Sequence, residues 1–247
     1  MKKILVSDYD KTFYLNDEDV EKNKIAVEKF RKNGNIFVIA TGRSYYDMQK
    51  KISEYKIMYD YLIINHGATI LNEKDEIIYN FSIKNETANK IRDDLKKYIP
   101  NIKIDTEIDK NKIQAPKYFC CKEKMSRLDF NNEDLTKINI KLDSEEITNE
   151  ISKMINDKYS NDINCYKVSK DMIEIISKEI NKAKAIQLFA NYYDLDNKFI
   201  YTIGDGYSDI EMIKNFNGYA MKDSVEELKK VAKKECESVA KLIEEIL

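Results

Sequence analysis

Two aspartates, Asp8 and Asp10, stand two residues apart directly behind the apolar run Ile4, Leu5 and Val6, and Thr12 follows them. A strand that ends this way either exits into solvent or presents its carboxylates for chemistry. Polar groups and glycines recur after later apolar runs. Thr41, Gly42 and Arg43 follow residues 35–40; Asn65, His66 and Gly67 close or follow 61–65; Gly204, Asp205, Gly206 and Asp209 follow 199–203. In an open parallel sheet, groups so placed meet beyond the carboxyl ends of the strands. Asp8, Asp10 and Asp205 then converge on one edge, with Asp209 close behind. Each pair of like charges about 4 Å apart costs about 4 kcal/mol at an effective dielectric of about 20. A divalent cation removes that cost, and an all-oxygen donor set selects Mg2+ over zinc. The cation, Lys182, the Thr41 hydroxyl and the bare amides at Gly42 together suit a phosphate group. An aspartate, with a reference pKa of about 3.9, is ionised at neutral pH and needs no activating base to attack phosphorus. In this reading Asp8 attacks, while Asp10 protonates the leaving oxygen and then activates water, a role that calls for a raised pKa.

The elements that must position these groups alternate in type. Residues 3–7, 35–40, 61–65, 199–203 and 218–221 are short apolar runs bounded by turn residues, the pattern of strands buried on both faces of a parallel sheet. Helical patterns lie between them at 20–32, before Gly34, and at 182–194, after the N-cap candidate Asn181. A long helix is predicted over 225–246, with Ser224 and Glu227 forming a capping box. The fold class is therefore α/β, a Rossmann-like, doubly wound parallel sheet. No glycine occurs between residues 68 and 203, and both prolines, Pro100 and Pro116, fall in that stretch. There the chain reads as helices at 86–98 and 145–158 among strands of period two: 101–108, 117–122, 137–142, 164–169 and 172–177. The expected organisation is a core of residues 1–81 plus 179–247, with an inserted α+β domain at 82–178 carrying an open-faced antiparallel sheet.

Composition narrows the function classes. The 247 residues carry a formal net charge of −2, and no basic stripe interleaved with aromatics, so nucleic acid is not an expected partner. No apolar run reaches membrane-span length, and the start, Met-Lys-Lys-Ile-Leu-Val-Ser-Asp, becomes charged too soon for an export signal. Four cysteines (Cys120, Cys121, Cys165 and Cys236) in a chain this long make no disulfide framework and read as reduced, cytoplasmic thiols. The single histidine, His66, has no serine or cysteine nucleophile motif beside it and reads as a turn residue. Arg43 has two readings, a substrate contact or a partner for an acid.

Four stretches together resemble the motifs of the haloacid dehalogenase superfamily. "DYDKT" resembles D-x-D-G-T, "ATGR" the second motif with Thr41 as its phosphate-binding hydroxyl, "NKAKAIQ" the lysine motif, and "GDGYSDIEM" the fourth, G-D-G-x-N-D. The late insertion is similar to that of the Cof-type subfamily. The resemblance covers nearly the whole chain and is thin within the inserted region. It implies Mg2+ as cofactor, a cap that closes over small phosphorylated metabolites such as sugar or cofactor phosphates, and phosphomonoester hydrolysis through an aspartyl-phosphate. It also implies that Asp8, the backbone carbonyl of Asp10, and Asp205 hold the metal, with Asp209 a direct or outer ligand. Thr41, Gly42 and Lys182 would hold phosphate. Three departures stand out: Lys11 replaces a glycine, Ser208 replaces an asparagine that helps bind phosphate, and "MKDS" at 221–224 replaces M-G-N-A. A phosphomutase on the same fold, or a phospho-accepting module without turnover, are the rival readings. The sequence carries no sign of oligomeric state.

Overall fold

The structure is a computed structural model that describes residues 2–98, 105–108 and 135–247. The expected strand at 117–122, the first half of that at 101–108, and Cys120 and Cys121 lie outside the described residues. Two compact units partition the chain: residues 1–43, 47–79 and 181–247 form the first, and 44–46 and 80–180 the second.

The first unit is built on an eight-stranded sheet. Its strands are β1 (Ile4–Ser7), β2 (Ile36–Ala40), β3 (Tyr61–Ile64), β4 (Thr69–Asn72), β5 (Ile77–Asn80), β10 (Ile200–Gly204), β11 (Asn217–Met221) and β12 (Lys234–Cys236), in the order β12-β11-β10-β1-β2-β3-β4-β5. All neighbours from β12 to β3 pair in parallel, and β4 returns antiparallel to β3. Every residue of β1 is buried, as is all of β2 but its first, which explains why both are apolar apart from Ser7 at the end of β1. Ser7 lies level with Ile203 and with Ile39, so the residues that follow β1, β2 and β10 leave the sheet at one edge.

Helix α1 (Asp17–Lys32) shows how local chemistry anchors this frame. Asn16 caps it by accepting the Asp19 N–H; acids fill its first turn and bases its last, as the helix dipole favours. Val20, Val27 and Phe30 form its buried stripe. Between them the buried Asn23 donates to the Phe13 carbonyl and accepts from the Ala240 N–H, tying the loop after β1 to α8 (Val239–Ile246). Helix α2 (Tyr45–Tyr55) follows β2, and α5 (Lys182–Tyr192) packs on α6 (Ile210–Asn215) while α1 packs on α8.

The chain after residue 224 departs from the single helix predicted there. It forms a short α7 (Glu226–Lys229), then strand β12, then α8. Ser224 does not cap: α7 starts behind Val225 with no side-chain cap, and it is Ser238 that accepts the Lys241 N–H at the start of α8. Residues 234–236 instead extend the sheet beside β11, burying Cys236. Pairing with a sheet edge outweighs the helical propensity of a Lys- and Glu-rich stretch.

The second unit carries a four-stranded antiparallel sheet in the order β6-β7-β9-β8, from β6 (Asp105–Ile108), β7 (Leu135–Lys141), β8 (Ile163–Ser169) and β9 (Met172–Ser177). Helices α3 (Asn85–Tyr98) and α4 (Glu145–Tyr159) supply Ala88, Ile91, Leu95, Ile151 and Ile155 to a core with Ile138, Ile140, Ile173 and Ile175. Alternate residues of β7 and β9 face that core, which produces the period-two pattern of their sequences. Buried Asp94 accepts from the Tyr159 hydroxyl at 2.5 Å and pairs with Lys158, joining α3 to α4.

Candidate active site

Asp8 leaves β1 buried, its N–H donating to the Ile203 carbonyl at 3.0 Å, so the first carboxylate is held against the end of β10. Lys182 reaches the same point from the first residue of α5. It is 2 % exposed, and its Nζ donates to Asp8 Oδ1 and to Asp209 Oδ1, each at 2.6 Å. A lysine is poorly placed at a helix N-terminus as far as the dipole is concerned; here two carboxylates compensate. Asn181 caps α5 by accepting the Lys184 N–H, and Gly67 sets where that helix begins. Its φ is +107°, and a Cβ there would come within 2.5 Å of the Asn181 carbonyl oxygen.

Asp209 sits in the tight turn after β10 with every carboxylate oxygen engaged. Oδ1 takes Lys182, and Oδ2 accepts the N–H groups of Asp205 and Gly206 at 3.1 and 3.0 Å. Gly204 makes room for it: a Cβ at 204 would stand 2.6 Å from Asp209 Cγ. Asp205 accepts from the Thr12 hydroxyl at 3.1 Å. Asp8, Asp205 and Asp209 thus each offer an oxygen within 4.8 Å of the others.

Three carboxylates face one ammonium. Burial pushes the Asp8 carboxyl well above its ordinary pKa against the pull of Lys182, and the charges of Asp209 and Asp205 add to the rise. Burial also raises Asp205, Asp209 adds to it, and Thr12, Lys182 and Lys11 oppose it. Burial works to lower Lys182, but the charges of Asp209 and Asp8 overcome it and leave the ammonium more firmly protonated than usual. An excess of negative charge in a buried, all-oxygen cluster fits a hard divalent cation.

A second group lies beside the first. Arg43 holds Asp10 with two parallel hydrogen bonds, Nε to Oδ2 and Nη2 to Oδ1, both 2.7 Å. Its own N–H donates to the Thr41 hydroxyl at 3.1 Å. The loop carrying Thr41 and Gly42 is tied to the end of β3, since His66 N–H donates to the Thr41 carbonyl and Asn65 N–H to the Arg43 carbonyl. Asn65 and His66 take left-handed backbone conformations to do so. The buried His66 ring explains Gly42: a Cβ at 42 would stand 2.4 Å from the imidazole Cε1. Lys11, where the resembling motif has glycine, also adopts a left-handed conformation, with φ +58°. A side chain there costs roughly 1 kcal/mol.

The residues singled out in the sequence therefore fall into two sets. Asp8, Lys182, Asp205 and Asp209 form one hydrogen-bonded cluster, joined by Thr12; Asp10, Thr41 and Gly42 are held by Arg43 and His66. Ser208 is half-buried in the turn of residues 207–209 and makes no hydrogen bond to either set. Of the two readings of Arg43, the structure shows the partner for an acid, Asp10; the bond of Thr12 to Asp205 was not readable from the sequence, because it depends on a partner brought in by another strand.

A parallel-dominated sheet with an acidic, lysine-bridged cluster at its carboxyl edge, interrupted in sequence by an α+β unit, defines a Rossmann-like α/β protein with a site suited to a metal and a phosphate. The chain belongs to the haloacid dehalogenase-like hydrolases, whose family model matches residues 5–242. A protein of Mycoplasma capricolum is 29% identical over 246 residues, covering 90% of this chain and 91% of that protein. A Buchnera aphidicola protein of strain Bp, named "Putative phosphatase", is 26% identical and covers 100% of this chain and 98% of its own length. Among solved structures, a haloacid dehalogenase-like hydrolase from B. subtilis aligns with a TM-score of 0.80 at 17% identity, over 99% of this chain and 100% of that one. A Thermotoga maritima structure aligns with a TM-score of 0.77 at 21% identity, over 100% and 98%.

Proposed function

We propose that this protein is a Mg2+-dependent phosphatase for small phosphorylated metabolites, sugar phosphates or cofactor phosphates, with residues 1–81 plus 179–247 as its catalytic core and 82–178 as its cap. The observation that carries this reading is the Lys182 ammonium shared at 2.6 Å between Asp8 and Asp209, with Asp205 in reach of both. The name given to the Buchnera relatives supports the same class of reaction. The free thiols of Cys165 and Cys236 suit a cytoplasmic setting, and no helix among the described residues is long and apolar enough to cross a membrane.

In this reading Asp8 is the nucleophile. Lys182 draws its carboxylate towards the ionised form against burial and offers a positive charge to the phosphoryl oxygens. The Thr41 hydroxyl and the Gly42 backbone, with Ser208 as an outer contact, bind the remaining phosphate oxygens. Asp10 gives a proton to the leaving oxygen as its bond to phosphorus breaks and the aspartyl-phosphate on Asp8 forms. It then takes a proton from the water that releases phosphate and restores Asp8. Asp8, Asp205 and the Asp10 carbonyl would hold Mg2+, with Asp209 fixing Asp205 and Lys182 or joining as a further ligand. The ion, when bound, neutralises phosphoryl charge that would repel the nucleophile.

Release of phosphate from p-nitrophenyl phosphate is the direct test. It is expected in Mg2+, to disappear in EDTA and to return on adding the ion. Asp8→Asn should lower kcat by at least about 10^3-fold, as loss of a covalent nucleophile does in other enzymes. Turnover by Asp8→Asn at the wild-type rate would refute the assignment.

A further inference from the structure

We infer that Arg43 is the positioning residue for Asp10: its guanidinium fork sets the direction in which that carboxyl delivers and collects its proton. The inference rests on the phosphatase reading above and assigns Arg43 no contact with substrate.

Four observations carry it. The fork is two-pronged and short, with both bonds at 2.7 Å, a geometry that leaves the carboxylate one orientation. Arg43 is itself fixed along its length. Its N–H is bonded to the Thr41 hydroxyl, its carbonyl accepts from Asn65, and its guanidinium carbon lies 5.4 Å from the centroid of the buried Tyr9 ring. A guanidinium on an aromatic face is held by cation–π attraction as well as by packing. Asp10 keeps a side chain 49% exposed, against 31% for Arg43, so the acid can be reached while its anchor is half-buried. A carboxylate has four lone-pair sites, and a fork uses two, which leaves the others for a leaving oxygen or a water.

The same geometry links two functions. Through its backbone Arg43 orders the Thr41 hydroxyl, and through its side chain it orders Asp10. Where phosphate is held and where the proton is delivered are therefore set by one residue. A surface ion pair whose only role was stability would need none of these constraints.

The test is a leaving-group series: p-nitrophenyl, phenyl and p-methylphenyl phosphate, alike in shape and graded in how much protonation the leaving oxygen needs. kcat/KM reports the steps up to departure of the phenol. A ratio of kcat/KM values within one preparation does not depend on how much of the variant is folded. If Arg43 positions the acid, Arg43→Gln lowers kcat/KM for p-methylphenyl phosphate by about 10- to 100-fold and for p-nitrophenyl phosphate by less than about threefold, in line with the contribution of a general acid. Asp10→Asn should show the same steepened series. Arg43→Lys keeps the charge without the paired donors and should remain steep.

A uniform loss across the series, expressed as a higher KM, would make Arg43 a substrate contact and overturn the inference. An unchanged series in Arg43→Gln, or full restoration by Arg43→Lys, would overturn it as well. If Arg43→Gln and Asp10→Asn are both shallow while Asp8→Asn is inactive, the acid role of Asp10 fails and takes the inference with it, but the phosphatase reading stands. No turnover of any phosphomonoester by the wild type would overturn both.

Discussion

Asp205 brings out the conflict inside the site. It shares a small volume with Asp8 and Asp209, and the Lys182 ammonium bonds those two but not Asp205. In the proposed function this arrangement serves a metal and a phosphate at the expense of the empty fold, a common compromise at active sites. Asp205→Asn, which can still accept from Thr12, is expected to raise the stability of the metal-free protein by roughly 0.5–2 kcal/mol, the range of a typical single stabilising change. The urea midpoint in EDTA measures this, and Mg2+ should raise that midpoint more for the wild type than for the variant. The pH dependence follows the same logic. Asp8 and Asp205 are raised in the folded state relative to an unfolded value of 3.8. The native state therefore binds more protons, and the metal-free protein loses stability as pH rises through the raised values. In Asp205→Asn that slope should flatten. At this level most of the candidate site was legible as a pattern: Asp8, Asp10, Thr41, Lys182, Asp205 and Asp209 each follow a strand end or open a helix. The Thr12 bond and the bridging Asn23 were not, because their partners, Asp205 for Thr12 and Phe13 and Ala240 for Asn23, are joined to them only by the folded chain.

Helices and strands act on the chemistry through their ends. Gly67 fits against the carbonyl that starts α5, and α5 places Lys182. Gly67→Ala must either strain a backbone at φ +107° or push Asn181 away. It is expected to cost about 1–3 kcal/mol in stability and to depress kcat further than the stability loss explains, because Lys182 moves with its helix. Thermal unfolding and kcat measured on the same sample separate the two effects. In the second unit, α3 and α4 are joined by Asp94, whose pKa is lowered to about 2, first by the Lys158 bond and then by that of Tyr159. A lowered carboxyl stabilises fully above its unfolded value of 3.8, and that contribution fades as pH falls towards 2. Tyr159→Phe should therefore destabilise this unit by roughly 1–2 kcal/mol at neutral pH, with the difference from wild type shrinking across that acid window. Circular dichroism during urea unfolding at pH 7 and pH 3 reads the change. The helix cap Asn181 could be recognised from sequence, since a cap is a local device. The break of 225–246 into α7, β12 and α8 could not, because it depends on the exposed edge of β11, which no local pattern records.

The order of the main sheet places β1 in its interior, between β2, which follows it closely in the chain, and β10, which arrives only after the whole second unit. Alternation of short apolar runs and helical patterns made the α/β class readable, and the change in glycine use pointed to an inserted region. The antiparallel β4 and its neighbour β5 escaped notice, being brief runs inside a polar stretch. The pairing of Ile4 with Ile200 has a consequence for how the protein comes into being. Contacts between residues so distant in sequence form late, because the intervening chain must surrender its freedom first. The hairpin of β8 and β9 closes within a few residues, so the inserted unit can order itself early. Asp8 gains Lys182 and Asp209 as neighbours only when the last strands dock. Until that moment the nascent polypeptide holds Asp8 without the partners that orient it, and the proposed capacity to cleave phosphate would be among the final properties the molecule acquires.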